Sequence, residues 1–392
     1  MGALSDTNAP IGAIVRGGRH STSRLPEVTA PAIRLDALTK RYPGADADAV
    51  HELDLEIPAG EIVALVGPSG CGKTTTLKMI NRLSEPTSGT VEINGRPARE
   101  LPVHDLRRGI GYVIQHTGLF PHRTIAANIA TVPRLLGWDK RRIRGRVEEL
   151  VDLVGLERGM LDRYPAALSG GQQQRVGVAR ALAADPPILL MDEPYSAVDP
   201  IVRARLQDEL LDLQRRLHKT IVLVTHDVDE AIKLGDRVVI LNVGGILEQA
   251  APPAELLAEP ASPFVADFLG EERGLKRLAL LRVRDLTPGE GPVVEVGTPV
   301  DEARALMERH RVDWVGVREG DRLLGWRWGT DLDGTVRAEG VRPFRAIVTP
   351  DSTLRSALDG IVGSLTNVAV VVDDEGAYRG MVRIDEISER VR

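Results

Sequence analysis

Two stretches of this 392-residue chain carry side chains suited to handling phosphate. "GPSGCGKTT" (67–75) fits G-x-x-x-x-G-K-[ST] and stands between an apolar run, "EIVALVG", and a helix-like segment, "TTTLKMINRL". In that setting Gly67, Gly70 and Gly72 let backbone N–H groups wrap a β-phosphate, with Ser69 and Thr75 in the same loop. Lys73 brings a point charge to the β- and γ-phosphates, and Thr74 offers a hydroxyl to Mg2+. "PILLMDE" (187–193) ends in adjacent carboxylates, which are costly at a buried strand end unless metal or proton chemistry uses them. Asp192 would hold Mg2+ through water, and Glu193 would polarise a water attacking the γ-phosphate. The plain alternative is a solvated strand end. "TIVLVTH" (220–226) ends in His226, placed to bond the γ-phosphate if its strand lies in the same sheet. The other seven histidines show no metal-site pairing. Cys71 reads as a small spacer in the loop.

A third stretch, "LSGGQQQRVGVARAL" (168–182), starts a helix with two glycines, the poorest ordinary helix formers. The expected reason is a bare helix start, with Ser169, unpaired N–H groups and a positive dipole end open to a phosphate.

These pieces need a scaffold. Three apolar runs, 61–67, 187–193 and 220–226, read as buried parallel strands whose carboxyl ends gather the polar residues. Amphipathic segments such as "RRIRGRVEELVDLVGL" (141–156) alternate with them, giving an α/β expectation. Residues 1–30 mix Gly, Ser, Thr, Pro and Arg without period and read as a disordered leader. Residues 31–270 form the phosphate-handling domain, and 271–285 a basic connector containing Arg273, Lys276 and Arg277. From 286 to 392 two similar units follow, about 286–338 and 339–392. Each has a Thr-Pro entry, an amphipathic helix, a strand, an acidic-Gly turn and a strand, which is an internal repeat.

Composition narrows the function classes. A formal charge of −6 gives no global basic field for nucleic acid. The single cysteine excludes an intrachain disulfide and fits a reducing compartment. No run approaches the ~20 apolar residues of a membrane span, and the N-terminus lacks the apolar core of a secretory signal. Work at a membrane would therefore require recruitment by a partner.

In order and approximate spacing, Gly67–Thr74, Gln115 within "YVIQHTGLFPH", Leu168–Gln172, Ile188–Glu193, "SAVD" (196–199) and His226 resemble an ABC-type ATPase over about residues 33–270. The resemblance implies a P-loop NTPase fold with a helical subdomain, and ATP with Mg2+ as its nucleotide and metal. Glu193, His226 and Gln115 would be catalytic. Thr74, Gln115 and Asp192 would hold Mg2+, and Tyr42 in "TKRYPG" would stack on adenine. With aromatics at only 3%, a tyrosine in a loop already invites a ligand reading. Ser169, Gly170, Gly171, Gln172 and Asp199 would act across a two-fold dimer, closing over ATP held by a second subunit. Gln115 would also pass movement to a membrane partner.

"TVPRLLGWDKRRIRGRVEELVDLVGL" and "THDVDEAIKLGDRVVIL" resemble the ATP-binding subunits of bacterial osmoprotectant importers. That branch takes up glycine betaine, carnitine, choline and related amines, with proline a candidate cargo, through a permease and an external substrate-binding protein. "EPYSAVDP" departs from the branch's usual Phe-Gly-Ala-Leu version. The repeat resembles a tandem CBS pair, an α+β regulatory module. Where such pairs hold ribose with Thr and Asp, this chain has Arg383 and Glu386, and its first copy has Trp328 with Asp331. An ATPase of an amino-acid or sugar importer is the nearest alternative, and a soluble ABC ATPase of repair or translation a more distant one.

Overall fold

The computed structural model describes residues 31–115, 118–196 and 198–390; the leader expected at 1–30 lies outside the described residues. Two sheets build the first part of the chain. The six-stranded sheet runs Ile246–Ala251, Arg237–Asn242, Ile62–Val66, Thr220–Val224, Ile188–Asp192 and Ile110–Val113, parallel except for the first strand. Its three central strands, Ile62–Val66, Thr220–Val224 and Ile188–Asp192, are buried at every residue. Continuous Val, Ile and Leu runs fit that position because both faces are covered, leaving no polar side to alternate with. The antiparallel sheet has the order Val50–Ile57, Ile33–Lys40, Ser88–Ile93, Arg96–Pro97.

One core lies between these two sheets and around helix Lys73–Ile80. A second, on the other face of the six-stranded sheet, collects helices Lys140–Leu153, Gly170–Leu182 and Pro200–Leu217. Asp139 caps the first of these by accepting the Arg142 N–H at 2.9 Å. Register places the ends of the parallel strands side by side. Leu65 pairs with Val224, Val224 with Asp192, and Met191 with Val113. Each following loop therefore begins at the same rim of the sheet.

The C-terminal part holds two three-stranded sheets built alike. In the first, Val293–Glu295 is parallel to Trp314–Glu319, which is antiparallel to Arg322–Trp328. In the second, Ile347–Val348, Val368–Val372 and Tyr378–Arg383 repeat that order. Helices Val300–His310 and Leu354–Val362 occupy equivalent places. The repeat expected from sequence is thus a structural repeat. Trp314, Trp326 and Phe344 pack with Val368, Val370 and Met381 into a core shared by both copies. Trp314 meets Phe344 edge-on with ring centres 5.7 Å apart.

The connector is more than a spacer. Helix Arg273–Leu280 and the turn Val283–Asp285 bury Leu278 and Val283 in the core of the second repeat, with Leu354, Ala357 and Val371. Backbone bonds from Val283 N to Ser352 O and from Leu354 N to Leu281 O, both 2.9 Å, fix that docking. At its other side Lys276 Nζ lies 2.9 Å from Asp229 Oδ1 of helix Val228–Leu234. Among the described residues no helix is long and apolar enough to cross a membrane.

Candidate active site

The phosphate loop joins strand Ile62–Val66 to helix Lys73–Ile80. Its glycines are required by the loop's own geometry. Gly72 has φ +89°, and a Cβ there would stand 2.4 Å from the Ala49 carbonyl oxygen; at Gly67 a Cβ would meet the Leu241 carbonyl oxygen at 2.1 Å. Lys73 is buried, and its Nζ donates to the carbonyls of Gly67 at 2.7 Å and Pro68 at 3.1 Å, with Cys71 Sγ 3.4 Å away. Its ammonium is thus paired with neutral oxygens, and among the described residues no carboxylate forms an ion pair with it. Tyr42 is exposed, with Lys40 Nζ 5.3 Å from its ring centre and its hydroxyl 3.4 Å from Thr75 Oγ1.

The neighbouring strand end supplies the carboxylates. Thr74 Oγ1 donates to Asp192 Oδ1 at 2.8 Å. Burial raises the Asp192 pKa above the ordinary carboxylate range; the Thr74 hydrogen bond opposes this and the Glu193 charge adds to it. A hydroxyl and a buried carboxylate whose charge lacks full compensation suit a hard cation taking oxygen ligands. Glu193 is held at φ +44° with its N–H bonded to Val224 O at 2.9 Å. For a non-glycine residue that backbone costs roughly 1–3 kcal/mol and turns the side chain abruptly away from the strand line. Its Oε2 accepts from Gln115 Nε2 at 3.1 Å and lies 3.4 Å from His226 Nδ1. Gln115, Glu193 and His226 come from three separate loops, and only the parallel register brings them together.

The stretch that begins helix Gly170–Leu182 departs from expectation. Ser169 and Gly170 are exposed, but the helix start is not bare. The Gln172 N–H donates to Ser169 Oγ at 3.3 Å, and the Ser169 N–H donates to Gln172 Oε1 at 2.9 Å, a reciprocal capping box. Ser-x-x-Gln is the sequence signal for that motif. Gln173 ties the preceding turn through the carbonyls of Pro165 and Leu168, at 3.1 and 3.2 Å, while Gln174 is buried. At Gly171 a Cβ would stand 2.9 Å from Val202 Cγ1, so this glycine permits close packing on helix Pro200–Leu217. Asp199 is exposed and caps that helix, accepting the Val202 N–H at 3.1 Å. Among the described residues, no hydrogen bond or ion pair links 169–172 to the phosphate loop of the same chain.

A network behind His226 was not anticipated from sequence. Thr225 Oγ1 donates to Glu230 Oε2 at 2.9 Å, and Asp227 Oδ1 accepts the N–H groups of Asp229 and Glu230 at 2.9 and 3.2 Å. Burial pushes Glu230 up to about 7; the Thr225 bond opposes this, the Asp227 and Glu193 charges add to it, and Arg203 counters. The "HDVDE" spacing, with Asp capping two acidic first-turn residues, was the available clue.

Comparison with known proteins identifies the family. The ABC transporter family profile matches residues 50–196. The chain is 48% identical over 366 residues to the osmoprotectant import ATP-binding protein OsmV of Salmonella typhimurium, covering 91% of this chain and 95% of that one. It is 51% identical over 293 residues to the glycine betaine/carnitine/choline transport ATP-binding protein OpuCA of Bacillus subtilis, covering 74% and 77%. Among solved structures, the dimeric post-hydrolysis state of the ATP-binding cassette MJ0796 with ADP and Pi superposes with a TM-score of 0.52 at 35% identity. The match covers 56% of this chain and 98% of that one. Motifs, sheet order and a relative 48% identical and covered over 95% of its length lead to one conclusion: the chain belongs to the ATP-binding proteins of ABC transporters, in the osmoprotectant-import branch, and is an ABC-type ATPase.

Proposed function

We propose that the chain powers import of quaternary-amine osmoprotectants, of the glycine betaine, carnitine and choline class, by binding and hydrolysing ATP in a homodimer. The dimer sits on the cytoplasmic side of a membrane permease fed by an external substrate-binding protein. The observation that carries the ATPase reading is Glu193 Oε2 set between Gln115 and His226, one residue from the Thr74–Asp192 pair. Tyr42 offers a ring for adenine, and the loop N–H groups from Ser69 to Thr75 receive the phosphates. Lys73 exchanges two loop carbonyls for phosphate oxygens. Thr74, Asp192 and Gln115 would hold Mg2+, which when bound offsets the charge gathered on the phosphates. Among the described residues no group of three His, Cys, Asp or Glu forms a metal site alone, consistent with phosphate oxygens completing the coordination.

Glu193 orients the attacking water and accepts its proton, while His226 steadies the γ-phosphate side. Ser169 and Gly170 are exposed at a capped helix start and, with the half-buried Gly171 and Gln172, meet the triphosphate of the second subunit, with Asp199 at the same interface. Closure is favoured while the γ-phosphate bridges the halves and lost when it leaves. Gln115 relays that change toward the permease.

The C-terminal repeat is read as a CBS pair that regulates transport. Its inter-repeat cleft, about 500 Å³, is lined by Arg383 and Glu386. Glu386 accepts the Arg383 N–H at 2.8 Å, and Arg383 Nε donates to Asp385 at 3.1 Å. Both groups at the expected ribose positions are engaged in starting the last helix, which argues against a ribose held there and favours an ionic-strength sensor or a dimerisation module. The helix-and-strand tail also favours this branch over sugar importers. Reconstitution with the permease and binding protein, followed by ATP-dependent uptake of radiolabelled betaine, carnitine and choline, tests the reading. Transport of none of them, with an amino acid or sugar carried instead, overturns it.

A further inference from the structure

One guanidinium joins the loop that carries His226 to the loop that carries Asp199. Arg203 lies in the first turn of helix Pro200–Leu217, where its N–H donates to Asp199 O at 2.8 Å. Its Nη2 donates to Val198 O at 3.1 Å, the carbonyl just before Asp199. Its Nη1 lies 3.5 Å from Asp227 Oδ2, on the residue just after His226. Asp227 is itself immobilised, since its other oxygen caps helix Val228–Leu234 and its N–H donates to Thr225 Oγ1 at 3.0 Å.

Two nitrogens of a planar, delocalised group hold the two loops, so neither can shift without moving the other or breaking a bond. The third nitrogen, Nε, is buried without a hydrogen-bond partner, and so is Glu230 Oε1. Leaving a buried donor unpaired is unfavourable, so the guanidinium is held at these two contacts while one of its own donors stays unsatisfied. Glu230, close enough for the Arg203 charge to favour its carboxylate, offers an alternative partner when the loops move.

We propose that Arg203 is a positioning residue that makes the placement of His226 depend on how Asp199 is seated against the second subunit. Closure of the dimer at Asp199 is then felt at the γ-phosphate side of the same chain's own site. The inference rests on the dimeric reading given above and adds the residue that carries the coupling.

The test uses the full chain in its assembled transporter, with Arg203→Ala, Arg203→Lys, Asp199→Ala and the double variant Arg203→Ala/Asp199→Ala. ATPase kcat, KM for ATP and melting temperature are measured for each. Arg203→Ala is expected to lower kcat about 10- to 100-fold with KM changed less than about threefold, the pattern of lost transition-state positioning. Arg203→Lys should fold with a near-native melting temperature yet recover little of kcat, because an ammonium lacks the fork that spans both loops. The double variant should be no slower than the slower single one. Independent, multiplicative losses, or wild-type kcat in folded Arg203→Lys, would overturn the proposal. Failure of the dimeric reading would appear elsewhere, as full-speed hydrolysis by isolated protomers of the unmodified chain.

Discussion

Glu193 and His226 face each other carboxylate to imidazole, with Oε2 3.4 Å from Nδ1, and Gln115 bonds the same oxygen. Replacing Glu193 by Gln keeps the shape and removes the carboxylate that, in the proposed role, accepts the proton of the attacking water. Nucleotide affinity should stay within about threefold while turnover falls about 10²- to 10⁴-fold, the usual worth of a general base. Phosphate release and nucleotide titration measure the two separately, and size-exclusion chromatography with ATP should show a persistent dimer. Wild-type turnover in this variant would remove Glu193 from its role.

Ser169 is exposed at a self-capped helix start and, among the described residues, makes no hydrogen bond to its own phosphate loop. If Ser169 serves the neighbour's nucleotide, as proposed, Ser169→Arg should abolish hydrolysis by dimers while monomer nucleotide affinity stays within about threefold. The cap's loss alone costs about 1 kcal/mol, so a melting curve distinguishes collapse from blocked closure. A parallel collapse of monomer affinity would mean that the serine serves its own chain.

Glu230 holds its proton up to about pH 7 in the fold, against an ordinary value of 4.5. Between those values the folded chain retains a proton that the unfolded chain has released. This group's contribution is therefore fully favourable below pH 4.5, declines as pH rises, and is lost above 7. Glu230→Gln keeps an acceptor for the Thr225 hydroxyl and removes the titration. Urea unfolding at pH 5 and pH 8 should show the wild type losing up to about 3 kcal/mol relative to the Gln variant over that interval. Parallel pH profiles would show the carboxyl to be ordinary.

Leu278 is fully buried in the core of the second repeat, although it precedes both copies in sequence. Leu278→Ala should destabilise the C-terminal unit by about 2–5 kcal/mol. Lys276→Ala, which breaks only the pair with largely exposed Asp229, should cost less than about 1 kcal/mol. Hydrogen exchange of helix Leu354–Val362 reads both. Equal, small effects would contradict the shared core.

Sequence reasoning reached what local signals encode. Continuous apolar runs gave Ile62–Val66, Ile188–Asp192 and Thr220–Val224 within a residue or two, since burial on both faces admits little else. Strand ends also pointed to Glu193 and His226, which meet at the sheet rim, whereas Gln115 came only from the family resemblance. Sequence reasoning missed relations that depend on tertiary placement. The positive φ of Glu193 follows from its bond to Val224, a residue 31 positions away whose register no local pattern reveals. Ser169–Gln172 is legible as a capping box, and its reciprocal hydrogen bonds occupy the donors that a bare helix start would have left open. The buried Glu230 was hidden because an acidic residue in a first helical turn ordinarily reads as a solvated charge.

The docking of Leu278 and Val283 into the second repeat has a consequence for synthesis. The ribosome delivers this pair roughly 75 residues before Leu354 and its neighbours, and at roughly 5–20 residues per second that is a wait of several seconds. During that interval the ATPase part is complete while a greasy strip beside it has nothing to settle against. A premature stop after the first copy would leave the strip bare for good, which makes loss of the tail a solubility defect before it is a regulatory one.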